Sequence, residues 1–157
     1  MKSSIRQILV PTDFSASSDR ALDLAIELAS CLGGSIHILY VQPFPIAIGP
    51  DTFIYADSYE QEIVAVGLST RAKRVRDAGV PCEVTSAEGD PADGIESVAN
   101  VTNPDLVVMG THGRTGLAKL MFGSVTSRVI PRIHRPVLVV PPLSIDAETK
   151  LAESFHP

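Results

Sequence analysis

The sequence predicts an α/β protein: an open parallel sheet of five strands with helices on both faces. Three observations carry this expectation. Short apolar runs alternate with helical patterns along the chain, the order that successive βαβ units produce. Four of the five candidate strands are nearly continuous apolar runs, which suits strands buried on both faces. Glycine and proline fall at the boundaries between these segments, where the chain has to stop one element and start another.

In chain order, Ile8-Leu9-Val10 is the first strand, closed by Pro11. Ala21, Leu22, Ala25, Leu28, Ala29 and Leu32 then recur at three- and four-residue steps, the stripe of an amphipathic helix. Ser15 reads as its N-cap, Asp19 as an acid suited to its first turn, and Gly33-Gly34 as its end. The second strand runs from Ile36 to Val41 and is stopped by Pro43. Residues 43–56 carry Phe44, Ile46, Ile48, Phe53, Ile54 and Tyr55 without periodicity, as a lid, an interface or a cover over the core would. A helix from Asp57 to Ala78 follows, ended by Gly79 with Pro81 beyond it. Cys82-Glu83-Val84-Thr85 alternates polar and apolar residues, the mark of a half-exposed edge strand.

Asp90 and Pro91 open the next helix as N-cap and first helical residue. Ile95, Val98, Ala99 and Thr102 share one of its faces, and Asn103-Pro104 stops it. Leu106 to Met109 is the fourth strand. Beyond a glycine-rich segment, Val125, Val129, Ile130 and Ile133 mark one face of a last helix. Pro131 falls inside that helix and must either end it or kink it. Val137 to Val140, bracketed by Pro136 and Pro141-Pro142, is the fifth strand. The expected organisation is one domain over residues 1–142 and a polar tail over 143–157.

The bulk numbers narrow the function classes. The 157 residues suffice for one sizeable core, and 45% hydrophobic against 20% charged residues is an ordinary globular balance. Thirteen Lys and Arg against 18 Asp and Glu leave a formal charge of −5, with no basic block, so nucleic acid is not an expected partner. Cys31 and Cys82 stand far apart and outside any C-x-x-C spacing. They read as small buried apolar side chains rather than as a disulfide or a metal site. The N-terminal apolar stretch is too short for a signal peptide or a membrane span, which makes the cytoplasm the expected location.

The chemistry concentrates in Gly110-Thr111-His112-Gly113-Arg114-Thr115-Gly116-Leu117-Ala118-Lys119-Leu120-Met121-Phe122-Gly123-Ser124, between the fourth strand and the last helix. Glycine admits positive φ and close approach, so backbone N–H groups can converge there on an anion. Gly123-Ser124 opens a helix, whose unpaired N–H groups favour phosphate. Ser124 and Thr126 add hydroxyls, and Arg114 and Lys119 add positive charge. The spacing fits neither the Walker A pattern nor G-x-G-x-x-G. In open parallel sheets such a segment lies beyond the carboxyl ends of the strands, where ligands bind.

Gly110-x2-Gly113-x9-Gly123-Ser124 resembles the G-2x-G-9x-G-(S/T) signature of the nucleotide-binding branch of the universal stress protein family. Val10-Pro11-Thr12-Asp13-Phe14-Ser15 is similar to that family's first strand and turn. Arg135-Pro136-Val137-Leu138-Val139-Val140-Pro141 is similar to its last strand, so the resemblance spans about Ile5 to Pro142. It implies an adenine-nucleotide alpha-hydrolase-like fold with strand order 3-2-1-4-5, and ATP as the bound ligand, with Mg²⁺ as a companion of its phosphates. AMP and cyclic nucleotides stay open.

By the same resemblance Pro11, Thr12 and Asp13 form the turn that meets the adenosine part, where Asp13 has helix capping as its plainer role. Val41 offers backbone groups to the adenine edge. Met109 and Gly110 lie under base and ribose. Gly113, Arg114, Gly123, Ser124, Val125 and Thr126 surround the phosphates. His112 has no carboxylate or serine near it in sequence to complete a catalytic constellation, so binding is expected first and slow hydrolysis at most. With strand five at an edge, Val137 to Val140 would expose an apolar edge, and pairing with its copy makes a homodimer the expected assembly. The leading function is a nucleotide-dependent stress-response regulator acting on a protein partner not identified by the sequence. The alternatives are a slow ATPase or phosphotransferase, and a dimeric interaction module independent of nucleotide.

Overall fold

The computed structural model describes residues 5–44, 47–49, 52–53, 58–111 and 122–141. Its main sheet has five strands, all parallel: β1 (Gln7–Thr12), β2 (Ser35–Gln42), β5 (Cys82–Glu88), β6 (Leu106–Gly110) and β7 (Val137–Val140). They lie in the order β5-β2-β1-β6-β7, so the third and fifth sheet strands are the edges and the first is central. A separate antiparallel ribbon, β3 (Ala47–Gly49) with β4 (Thr52–Phe53), forms within the aperiodic 43–56 segment. Ile46, Ile54 and Tyr55 lie outside the described residues, as do His112, Gly113, Arg114, Gly116, Lys119 and the 143–157 tail.

Helices α1 (Ala16–Leu32), α2 (Ser58–Asp77), α3 (Pro91–Thr102) and α4 (Ser124–Val129) cover the sheet. Alternation along the strands divides the core in two. Ile8, Val10, Ile36, Ile38 and Val108 pack with Ala21, Leu22, Ala25, Ala29, Leu68, Ala72 and Val75 of α1 and α2. Leu9, Leu39, Val107 and Met109 pack with Ala92, Ile95, Ala99 and Val129 of α3 and α4. Apolar residues on both faces are what the continuous runs in the sequence require.

The caps fall where the sequence puts them. Ser15 has extended backbone and its side chain accepts from Ser18 N, while Gly33 takes the left-handed conformation at φ 64°. Asp90 accepts from Ala92 N and Asp93 N, with Pro91 opening the helix, and Asn103 ends it at φ 51°.

Three expectations are corrected, and the choice left at Pro131 is decided. Pro11 does not close β1; the strand continues through it to Thr12, because the donor that Pro11 lacks faces a side where no ladder bond is needed. Leu32, the final residue of α1, is 45% exposed rather than part of the buried stripe. Cys31 is exposed rather than buried: two residues beyond Ala29, it stands about 200° around the helix from that inward position. Pro131 ends the last helix rather than kinking it. The helix stops at Val129, Ile130 turns outward, and Ile133 reaches the core from the following turn.

Among the described residues no helix is long and apolar enough to cross a membrane.

Candidate functional site

The strands separate at one end of the sheet. The β1–β6 ladder consists of Ile8 with Leu106 and Leu9 with Val107, and stops two residues before Pro11. Arg6 O accepts from Ser35 N and Gln7 O accepts from Asp105 N, so even-numbered β1 backbone faces β2 and odd-numbered backbone faces β6. The missing N–H of Pro11 therefore lies on the β6 side, which is where the sheet opens. On β6, Val107 N and Thr111 N donate to β7, at Pro136 O and Val140 O. The Gly110 carbonyl consequently points into the gap that β1 leaves, and there Thr126 Oγ1 donates to it (2.9 Å).

A third strand shapes the gap. The β1–β2 register ends at Thr12 with Tyr40, while β2 stays paired to β5 through Gln42. Ser35 N bonds toward β1, and Ile36 N and Gln42 O bond toward β5, so Val41 presents its backbone to the β1 side. There the N–H of Phe14, which would continue the ladder, is turned onto Thr12 Oγ1 (3.1 Å).

The result is a cavity of about 390 Å³ at the carboxyl ends of the strands, lined by Pro11, Thr12, Asp13, Val41, Met109, Gly110, Gly123, Ser124, Val125 and Thr126. All of these come from the site read in the sequence; Gly113 and Arg114 of that site lie outside the described residues. The lining also includes Ser18, Leu39, Tyr40, Pro43, Pro91 and Ile95, which the sequence reading does not assign to a site. Tyr40 and Pro43 flank Val41, and their place at the end of the second strand was the available signal. Ser18, Pro91 and Ile95 enter only through the packing of α1 and α3, for which one sequence offers no signal.

Asp13 carries the one carboxylate among the described lining residues. It does not cap α1. Its Oδ1 accepts from Ser15 N (3.0 Å) and Ser15 Oγ (2.5 Å), and Ser15 caps the helix. Thr12 Oγ1 and Ser18 Oγ lie 3.1 Å apart, and Ser18 Oγ donates to Ser15 O (2.9 Å), which ties the turn to the first turn of α1. Thr126 is buried, and its hydroxyl proton goes to Gly110 O rather than outward as a donor for a ligand.

Gly110 and Gly94 act through space rather than through φ. Among the described residues the positive-φ glycines are Gly33, Gly79 and Gly89, while Gly123 precedes α4 at φ −59°. At Gly110 a Cβ would stand 2.4 Å from Ser17 Oγ and 2.9 Å from the Ser17 carbonyl carbon, so a side chain there would drive α1 from the sheet. Gly94, unread in the sequence, does the same for α3: a Cβ there would come within 2.8 Å of both Val41 γ-carbons.

Ion pairs fasten α4 to α3. Arg128 Nη1 donates to Asp90 Oδ2 (2.8 Å) and Arg132 Nη1 to Asp93 Oδ1 (2.6 Å). The Arg128 hydrogen bond, with the N–H groups of Asp93 and Ala92, holds the Asp90 carboxyl below its usual range. Among the described residues no cluster of three His, Cys, Asp or Glu is placed to hold a metal ion.

Comparison with known proteins gives the chain its relatives. The sequence profile of the universal stress protein family matches residues 4–141. Universal stress protein MJ0531 of Methanocaldococcus jannaschii is 34% identical over 138 residues, covering 86% of this chain and 81% of the relative. The structure of hypothetical protein MJ0577, from the same organism, is similar with a TM-score of 0.73 at 25% identity, covering 90% of this chain and 99% of that one. A universal stress protein in complex with cAMP is similar with a TM-score of 0.68 at 26% identity, covering 89% of this chain and 99% of that one. With the profile spanning nearly its whole length, this chain belongs to the universal stress protein family.

Proposed function

We propose that this protein binds an adenine nucleotide, ATP foremost, in the cavity at the strand ends, and that the bound nucleotide governs its action on a protein partner in a stress response. One observation carries the reading: four separate segments, 11–13, 41, 109–110 and 123–126, converge on a single cavity at the point where the sheet order reverses. The likeness to a relative in complex with cAMP supports the adenine part.

The chemistry of the lining divides the ligand. Leu39, Val41, Ile95 and Met109 offer apolar walls to a flat base, and the Val41 backbone offers it hydrogen bonds. The Asp13 carboxylate accepts from ribose hydroxyls or an exocyclic amine and repels phosphate. Phosphates therefore run toward Gly123, Ser124 and Val125; the Gly123 N–H is held by Thr111 O, and the Ser124 and Val125 N–H groups that open α4 are donors without helical acceptors. Thr126 contributes by holding that wall to Gly110. Gly113 and Arg114 are assigned to the phosphates on the motif alone. Mg²⁺ finds one carboxylate in the described lining, so its ligands would come chiefly from the phosphates and water.

The test is the nucleotide content of the purified, then denatured protein, followed by calorimetric titration of wild type and Gly123→Val with ATP, AMP and cAMP. Valine tolerates φ −59° and ψ 162°, so the substitution probes space rather than backbone strain. ATP is expected in the wild type, with affinity lost by roughly tenfold or more in the variant. A folded wild type that binds no nucleotide would favour the interaction-module reading, and phosphate release on standing with Mg²⁺–ATP would favour the slow ATPase.

We propose also that β7 pairs with its copy across a twofold axis. No described strand lies on its outer side, and Leu138 of this edge strand is 36% exposed. Light scattering should give a dimer mass for wild type and a monomer mass for Leu138→Lys.

A further inference from the structure

Phe14 stands immediately after Asp13 at φ 65°, a left-handed conformation that a bulky side chain adopts only where its surroundings impose it. Its surroundings are specific. The Phe14 ring stacks on Tyr40 with centroids 4.7 Å apart and planes 5° from parallel. The Arg71 guanidinium lies 4.6 Å from the ring centroid, and Arg71 Nη2 donates to Phe14 O (3.3 Å). Arg71 is itself locked by a two-point pair with Asp19, Nε to Oδ1 at 2.7 Å and Nη2 to Oδ2 at 2.8 Å, and its side chain is 11% exposed. Gly67, one turn earlier on α2, makes room: a Cβ there would come 3.0 Å from the ring.

We infer that Arg71, which does not line the cavity, is the positioning residue for Asp13. The left-handed step at Phe14 turns the following chain away from the sheet and brings Ser15 N and Oγ onto the Asp13 carboxylate beside the cavity. Arg71 grips both parts of Phe14 that could relax, its carbonyl and its ring, and takes its own position from α1 through Asp19. The guanidinium fork suits this task, because one planar group can pair with a carboxylate, donate to a carbonyl and cover a ring. Helix α2 thereby reaches the site without touching the ligand. The consequence for affinity rests on the nucleotide reading above; the consequence for the Asp13 turn does not.

Two measurements test this on the full chain. The first needs no ligand: hydrogen exchange of the Ser15 amide, whose acceptor is Asp13, compared with the core Ile38 amide in wild type, Arg71→Met and Arg71→Lys. Ser15 exchange should rise about tenfold or more in Arg71→Met beyond any change at Ile38, with Arg71→Lys intermediate. The second is a double-mutant cycle for ATP affinity. Arg71→Met should weaken binding about tenfold in the wild-type background and less than about twofold when Asp13→Ala is present. Equal weakening in both backgrounds, or Ser15 and Ile38 exchange rising together, would make Arg71 a general stabiliser and overturn the inference. Should Arg71→Met not fold, Arg71→Lys carries both comparisons. A Ser15 response in a wild type that binds no nucleotide would uphold the positioning role and remove the nucleotide reading.

Discussion

The two ends of this sheet use the same central strands to opposite effect. At the amino end β1 and β6 are sewn together: Asp105 Oδ2 accepts from Arg6 N (2.8 Å) and Gln7 N (2.9 Å), and Asp105 N donates back to Gln7 O (2.9 Å). At the carboxyl end the same strands part after Leu9 and Val107, where Thr126 takes the freed Gly110 O, and beyond the end of the β1–β2 ladder Thr12 takes Phe14 N. The closed end joins strands through main chain and one carboxylate. At the open end the Phe14 N–H and the Gly110 carbonyl are each given a threonine partner, one from the turn and one from α4. A cavity at this place is thus a feature of hydrogen-bond accounting as much as of sheet twist.

The largest expected effect lies at the open end. Gly110→Ala puts a methyl group 2.4 Å from Ser17 Oγ, and we expect a loss of about 1–3 kcal/mol by overpacking, read from urea unfolding midpoints. Adding Ser17→Ala should restore only part of it, because the Ser17 backbone carbon and oxygen remain 2.9 and 3.0 Å away. Unchanged stability would mean that α1 can retreat and that close approach does not define this end.

Gly94→Ala comes next. Crowding against Val41 opposes the gain of up to about 1 kcal/mol that alanine brings inside a helix. The substitution should destabilise wild type modestly and turn stabilising when Val41→Ala is present. The same sign in both backgrounds would show that Val41 is not what the glycine accommodates.

The closed end should respond to acid. Backbone N–H groups of Arg6 and Gln7 hold the Asp105 carboxyl below its ordinary range. Its folded pKa is depressed, so its contribution is present above the unfolded value near 3.9 and is lost as pH falls through the folded one. Asp105→Asn should be less stable than wild type at neutral pH, with the gap closing below about pH 4. A gap constant with pH would mean that the charge on Asp105 is not what joins the strands.

The smallest effect concerns His37, buried on β2 with Nε2 2.8 Å from Thr85 Oγ1. Burial lowers its pKa and Glu83 partly opposes this. The neutral form is favoured in the fold, so wild type should lose some stability as pH falls from about 6.5 toward the lowered value. His37→Leu should lack that slope in thermal unfolding scans, and a slope retained in the variant would assign it to another group.

The sequence made some of this legible for reasons of range. Ser15, Asp90 and Asn103 satisfy helix ends within three or four residues of themselves, so their roles are written locally. The same holds for the apolar runs of β1, β2, β6 and β7, and for the residues that the strand ends and the glycine spacing bring to the cavity. Gly94, Gly67 and Arg71 escaped because what they accommodate, Val41 and Phe14, lies 53 residues away in each glycine's case and 57 in the arginine's. Cys31 was misread from residue type; its helical phase, two positions from Ala29, carried the better information. Pro131 posed a choice between a kink and a stop that local rules cannot make, and the packing of Ile133 from a turn decided it.

Pro11 gives the cavity an unusual kind of permanence. Gaps kept open by side-chain bulk drift under substitution, since smaller or larger neighbours refill them. Here one edge of the opening is written into covalent structure, because a ring nitrogen has no hydrogen to offer β6 whatever surrounds it. Lining residues can therefore be exchanged, by divergence or by design, to change what the cavity accepts, without the two strands zipping shut at that position. The pocket's existence and its selectivity are in this sense separately adjustable.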